Sequence, residues 1–327
     1  MKLRDIAALT TLLGRLSQDP KPDPRVRETL GINANGSATF DLYEPLQGAK
    51  RAAVALHGVT TNHRRDPRLI HFARSLALAG MACAVPSLPR LASCAWDPAD
   101  LDTVEAVFHA VVARGLPSPG MIGFSYGGSY ALVAATRPAI AQQVAFMLAF
   151  GPFHRLEELF DHYVATRHDV PTTDPQWDDL IYLHVVIAKQ LRGKLSMANG
   201  LDDKVDDLLH RFCHDATLAE KREFFERHLR ELELPLRALE HLDVPAMQAV
   251  SPAGKLQAIR CPVSLVHDTH DTMVPPSQSR RIYEELRAGS DVHKLLVTPL
   301  LQHVHLADAF RLGDVAQLFK ALEPIVR

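Results

Sequence analysis

Cysteine is scarce. The 327 residues hold four, Cys83, Cys94, Cys213 and Cys261, far apart and with no CxxC pair. Neither a disulfide framework nor a thiolate zinc site is expected, and reduced thiols of a cytoplasmic protein are the simplest reading. A dominant charge is missing too: 36 Lys and Arg stand against 38 Asp and Glu, a formal net charge of −2. No basic stripe with interleaved aromatics is present, so nucleic acid is not an expected partner. No apolar run approaches the roughly 20 residues needed to span a bilayer. The first 20 residues carry two early basic side chains and then apolar ones, but Asp5 and Arg15 interrupt them and no small-residue cleavage site follows. A short amphipathic helix, not a signal peptide, is expected there. Internal repeats and low-complexity tracts are absent as well.

What is there reads as an ordinary globular chain, 47% hydrophobic and 23% charged, long enough for a sizeable core. Asp19-Pro20-Lys21-Pro22-Asp23-Pro24 breaks any regular element and predicts an extended connector. Short apolar runs then alternate with helical patterns. Strands are expected at Thr39–Tyr43, Ala52–Leu56, Ala82–Val85, Met121–Phe124 and Val144–Phe150. Helices are expected between them, at Arg64–Ala79 ended by Gly80, Asp100–Arg114 capped near Asp97, and Gly127–Arg137. Such alternation predicts a parallel sheet with helices on both faces. From about Phe153 to Val250 the chain turns helical and charged, with Ala219–Leu234 as one long pattern. The alternation resumes with a strand at Val263–His267, a helix at Ser277–Arg287, a strand at Lys294–Thr298 and a last helix from about Leu306 to Val326. An α/β sheet interrupted by a helical insertion of about 100 residues is the expected organisation.

The sharpest local signal is Gly123-Phe124-Ser125-Tyr126-Gly127-Gly128, a G-x-S-x-G between an apolar strand and a helix. A serine in so tight a strand-to-helix turn takes strained backbone angles, and the positions two before and two after lie too close for side chains. Such a turn lifts the hydroxyl above the sheet, over a helix N-terminus that favours negative charge. A nucleophilic hydroxyl needs a base, and the base an orienting group. His267-Asp268-Thr269-His270-Asp271-Thr272-Met273-Val274-Pro275 follows a late strand and offers two acids. Leu301-Gln302-His303-Val304-His305 offers two imidazoles. Their His-x-His spacing also suggests a metal, but alternate residues of an extended segment point to opposite sides. No carboxylate or cysteine completes a ligand set, so no metal is expected. Leu56-His57-Gly58-Val59-Thr60 follows an early buried strand.

Strand–His-Gly, strand–G-x-S-x-G–helix, strand–Asp and loop–His, with Ser, Asp and His in that order, resemble the α/β-hydrolase superfamily over roughly Thr39–Pro152 and Leu256–Arg327. The stretch from Lys50 through His57-Gly58 to Asp271-x-x-Val-Pro is similar to bacterial esterases and dienelactone-hydrolase-like proteins. The resemblance implies an eight-stranded, mostly parallel sheet and hydrolysis without a cofactor. It implies Ser125 as nucleophile, with Gly58, Gly123 and Gly127 as motif glycines. Asp271 becomes the acid, because it stands three residues before Val274-Pro275 as in the family's G-x-x-D-x-x-V-P. Asp268 replaces the usual glycine of that stretch and remains its rival. His303, first after the last strand, becomes the base, with His305 expected at the start of the last helix. Backbone N–H groups of Val59 and Tyr126 would form the oxyanion hole. His57 is read as a structural hydrogen-bonder, and His267 and His270 as strand-end and turn residues.

The expected layout is an N-terminal helix and Pro-rich connector over 1–38, a hydrolase core over 39–152 and 256–327, and a helical cap over 153–255. Phe153, Leu156, Leu159, Phe160 and Tyr163 fall at helical spacing; they either line an acyl pocket under that cap or, more simply, pack as core. The expected activity is a Ser-His-Asp carboxylic-ester hydrolase acting through an acyl-enzyme on a small to medium apolar ester. An acyltransferase or a peptidase would use the same residues. A non-catalytic binding protein of this fold has no physical need of all three. Oligomeric state is left open.

Overall fold

A computed structural model describes residues 3–16, 21–36, 38–60, 62–93, 95–166, 217, 219–220, 223, 242–289, 292–302, 305–306 and 312–326. Its centre is an eight-stranded sheet. The strands are β1 (Val26–Asn33), β2 (Thr39–Pro45), β3 (Arg51–Leu56), β4 (Met81–Pro86), β5 (Pro119–Phe124), β6 (Met147–Phe150), β7 (Val263–Asp268) and β8 (Lys294–Thr298). They lie in the order β1-β2-β4-β3-β5-β6-β7-β8. From β4 to β8 neighbouring strands run parallel, while β2 is antiparallel to both β1 and β4.

The central strands are apolar on both sides because both sides are covered. Along β3, Ala52, Val54 and Leu56 face one core and Ala53 and Ala55 the other, as a side-chain period of two dictates. The first core is closed by α4 (Ala99–Ala113), α5 (Tyr126–Ala135) and α6 (Leu156–Thr166), which follow α3 (Pro89–Ala92), together with α7 (Val244–Val250) and α8 (Pro276–Arg287). The second is closed by α1 (Leu3–Leu16), α2 (Pro67–Leu78) and α9 (Leu312–Val326). Each Leu, Val or Phe fully withdrawn from water there contributes about 1.5–3 kcal/mol. Among the described residues no helix is long and apolar enough to cross a membrane.

Two differences from the sequence reading stand out. Val26–Asn33, which the sequence assigns to the N-terminal helix and Pro-rich connector, forms the edge strand β1, and Leu9 and Leu12 of α1 are buried in the second core. The last helix is described over Leu312–Val326, and Leu306 lies outside it on a strand. Leu301–Gln302 (β9) and His305–Leu306 (β10) instead pair antiparallel, with Gln302 opposite His305. Ladder bonding there satisfies the backbone groups that a first helical turn would have used, so His305 lies on extended backbone. Most of the Ala219–Leu234 pattern falls outside the described residues.

The roots of the long segment between β6 and β7 are joined. Ser129 of α5 donates to the Phe153 carbonyl and accepts from the Phe153 N–H, both at 2.8 Å. The His154 carbonyl accepts from Ala253 N–H at 3.2 Å, and Leu156 N–H donates to Ser251 Oγ at 3.0 Å. One side chain of α8, Glu285, takes hydrogen bonds from the His154 ring at 2.9 Å and from the Gly254 and Leu256 N–H groups at 3.1 Å each. The stripe of Phe153, Leu156, Leu159, Phe160 and Tyr163 is buried in the first core, where Phe160 meets Trp96 edge-on at 4.8 Å. These five side chains pack as core.

Candidate active site

Ser125 sits between β5 and α5 with φ 52° and ψ −125°, one of three non-glycine residues with positive φ among those described. Strain of this kind costs about 1–3 kcal/mol and persists only where its surroundings impose it. Here they do. Ser125 N–H donates to the Phe150 carbonyl at 2.7 Å, and its own carbonyl accepts from Gly128 N–H at 2.8 Å. A Cβ on residue 123 would lie 2.6 Å from Gly128 Cα, and one on residue 127 would lie 2.8 Å from both the His57 carbonyl carbon and the Leu56 oxygen. Only glycine fits at either place. The Phe124 ring is held by Phe72, edge-on at 4.9 Å, and by Phe150, stacked at 5.0 Å. On the opposite face Tyr126 meets Phe153 at 5.1 Å. Aromatic rings on both sides therefore fix the serine's neighbours.

The turn after β3 comes up against this serine. A Cβ on Gly58 would stand 3.1 Å from the Phe124 carbonyl oxygen and 3.2 Å from Ser125 Cβ, so the backbone of 57–59 passes directly beside the hydroxyl-bearing carbon. His57 Nδ1 donates to the Gly58 carbonyl at 2.6 Å. Burial pushes the His57 ring down to about 4, so it stays neutral at pH 7 and is too weak a base to serve there. The following residues are pinned. Thr60 Oγ1 donates to Asp66 at 3.0 Å, and Asp66 caps α2 through Arg68 N–H at 2.9 Å. Against the upward push of burial, Arg68 and the Thr60 hydroxyl hold the Asp66 carboxyl down at about 2. Arg64 and Arg65 each reach the fully buried Asp41 of β2 at 3.2 Å.

Two strands away, β7 delivers the acids. With neighbouring strands about 4.8 Å apart, the end of β7 lies roughly 10 Å from the serine turn, on the same edge of the sheet. Asp268 closes β7, buried, and accepts from His270 N–H at 3.0 Å. Asp271 is also buried. Its Oδ1 accepts from Met273 N–H at 3.0 Å and Val274 N–H at 2.9 Å, while Oδ2 lies 3.5 Å from His267 Nε2. His303 lies between β9 and β10, outside the described residues, and of His305 only the backbone is described. No cluster of three or more His, Cys, Asp or Glu suited to a metal ion is found among the described residues.

No protein-family model matches the chain, and no curated protein matches its sequence. Solved structures do. A Legionella pneumophila protein described as a hydrolase superposes with TM-score 0.60 at 13% identity, covering 98% of this chain and 93% of its own. A Pyrococcus furiosus esterase follows with TM-score 0.54 at 12% identity, covering 92% of each chain. A Staphylococcus aureus protein described as an esterase gives 0.52 at 10%, covering 99% of this chain and 92% of that one. The fold is that of the α/β-hydrolases. Identities this low establish the architecture and nothing finer.

Within the α/β-hydrolase fold, Ser125, Gly58, Val59 and Tyr126 come together at the ends of β3 and β5, and Asp268 and Asp271 at the end of β7. Sequence reasoning missed the ties behind them: the Asp41 link to the turn after β3, and the contacts of His267. That histidine is fully buried, with Nε2 2.7 Å from the Val274 carbonyl and Nδ1 2.6 Å from Ser279 Oγ. A histidine following the apolar pair Leu265-Val266 of a central strand was the available signal.

Proposed function

We propose that the protein is a serine hydrolase acting on carboxylic esters, with Ser125 as nucleophile, His303 as base and Asp271 as the group that orients it. The observation that carries this reading is the strained backbone of Ser125 with Gly58 against its side chain. Strain at a serine seated over a helix N-terminus has a chemical use, whereas packing alone would not require it. His303 takes the hydroxyl proton as Ser125 Oγ attacks the ester carbonyl. The N–H groups of Val59 and Tyr126 receive the developing oxyanion. The carbon–oxygen bond to the alcohol then breaks, and the alcohol leaves with the proton from His303. Water, deprotonated by the same imidazole, attacks the acyl-enzyme and releases the acid and the serine hydroxyl. General-base assistance contributes roughly 10²–10⁴-fold and one oxyanion donor about 10²–10³-fold. Asp271 is preferred over Asp268 because two backbone N–H groups fix its Oδ1 within the turn that ends at Val274. Residues 39–152 and 256–327 act as the catalytic core, extended by β1 and by the packed helices α6 and α7, and the rest of 153–255 as a cap over it.

A fluorophosphonate probe tests the reading. The wild-type protein is expected to be labelled and to hydrolyse short p-nitrophenyl esters, and Ser125→Ala to do neither. Labelling that survives in Ser125→Ala, or a wild-type protein that is neither labelled nor active, overturns it.

A further inference from the structure

His267 takes no part in the mechanism above, yet it is the fully buried polar ring in contact with the acid turn. The Val274 carbonyl can only accept a hydrogen bond, so the ring nitrogen 2.7 Å away, Nε2, carries a proton. In the neutral ring Nδ1 then accepts from the Ser279 hydroxyl at 2.6 Å. The same Nε2 lies 3.5 Å from Asp271 Oδ2. That second approach is too long for a hydrogen bond of its own, but it sets a positive edge beside one carboxylate oxygen. The other, Oδ1, is held by Met273 and Val274 N–H. Ser279 lies in the first turn of α8, which starts just after the acid turn. The chain Ser279–His267–Val274 therefore ties a helix, a strand and the acid turn together.

We infer that His267, oriented by Ser279, is a positioning residue that fixes the turn and the carboxylate direction of Asp271. The inference rests on the reading of Asp271 as the orienting acid. A leucine or phenylalanine could fill this volume without burying polar atoms that need partners. An imidazole with both nitrogens satisfied restrains rotation of the turn, which packing alone does weakly. If Asp271 swings away, the proposed base loses its orientation, and its protonated form loses a stabilising charge.

The test uses full-length protein carrying His267→Phe, His267→Gln or Ser279→Ala. Ester hydrolysis is followed from about pH 5 to 9, with thermal unfolding alongside. His267→Phe is expected to lower kcat about tenfold with KM changed less than about twofold, and to move the acid limb of kcat/KM to lower pH by about half a unit. His267→Gln, which can still donate to the Val274 carbonyl, should recover part of both changes. Ser279→Ala should move both in the same direction by less. A core histidine without this role would lower the melting temperature and leave kcat and the acid limb in place; that outcome in any folded variant overturns the inference. Where His267→Phe does not fold, Ser279→Ala decides by the same criteria. Ser125→Ala and Asp271→Asn measured in parallel separate the two failures. Full activity in Asp271→Asn removes the acid assignment and this inference with it, whereas a strong loss there beside unshifted His267 and Ser279 variants removes the inference alone.

Discussion

Adding one methyl group at Gly127 probes the contact between the serine turn and the turn after β3. The new Cβ would collide with the His57 carbonyl oxygen and lie 2.8 Å from the His57 carbonyl carbon and from the Leu56 oxygen. All three obstacles are backbone, so no side chain can swing aside. To reach ordinary contact the helix and the 57–59 turn must part by about 1 Å. Forcing atoms into a filled interior costs about 1–3 kcal/mol, and the upper end applies where only backbone can yield. For a chain of this size about 3 kcal/mol corresponds to a drop of roughly 4 °C in melting temperature. Catalysis should suffer more. Displacement by about 1 Å costs on the order of 10²-fold, and the Val59 N–H would be carried away from the place proposed for the oxyanion. Gly128→Ala is the control one residue on, where the nearest atoms to the added Cβ are Gly123 O and Pro152 Cβ, both at 3.3 Å. Its rate and melting temperature should stay close to those of the wild type. Rates on p-nitrophenyl acetate with melts by circular dichroism decide the matter. A Gly127→Ala protein within about threefold of wild-type kcat/KM and about 2 °C of its melting temperature would refute the argument.

Asp41→Asn removes the buried carboxylate that holds Arg64 and Arg65; urea unfolding should show a loss of about 3 kcal/mol, the low end for a broken buried pair because Arg65 is half exposed. The same variant should lower kcat/KM several-fold by loosening the 57–66 turn, and an unchanged rate would separate that turn from catalysis. Burial pushes Asp100 up to about 6, against backbone hydrogen bonds from Leu91 and Arg90 and the charge of Arg90. The folded protein therefore holds a proton there that the unfolded chain gives up near the ordinary carboxylate value. Stability falls as pH rises through about 4 to 6, by up to about 3 kcal/mol. Asp100→Asn should accordingly gain melting temperature on the wild type at pH 7.5 and lose that advantage at pH 4.5.

Legibility followed how local each physical requirement is. The central strands could be read because burial on both faces demands continuous apolar runs such as Ala52–Leu56. The serine turn could be read because its steric demands fall on contiguous residues, glycine at 123 and 127. β1 could not: Val26–Asn33 is an edge strand, mostly exposed or half-exposed, with Leu30 open to solvent, and its pairing with β2 leaves no apolar signature. The boundary of the last helix was misplaced because Leu306 fits a helical pattern as well as it fits the β9–β10 ladder. The resemblance alone favoured Asp271 over Asp268; the hydrogen bonds from Met273 and Val274 N–H that support this proposal, and the partners of Asp41 more than twenty residues away, are facts of the folded chain. Neither kind of information lies in spacing.

The clasp at the two roots of the long segment has an architectural consequence. One side chain, Glu285, grips the chain where it departs and where it comes back, while Leu156, Leu159, Phe160, Tyr163, Met247 and Val250 stay seated in the first core. The two flanks are therefore part of the platform. A shorter tether has to be spliced between Thr166 and Leu242 to leave that seating in place, and a differently shaped roof could be grafted there.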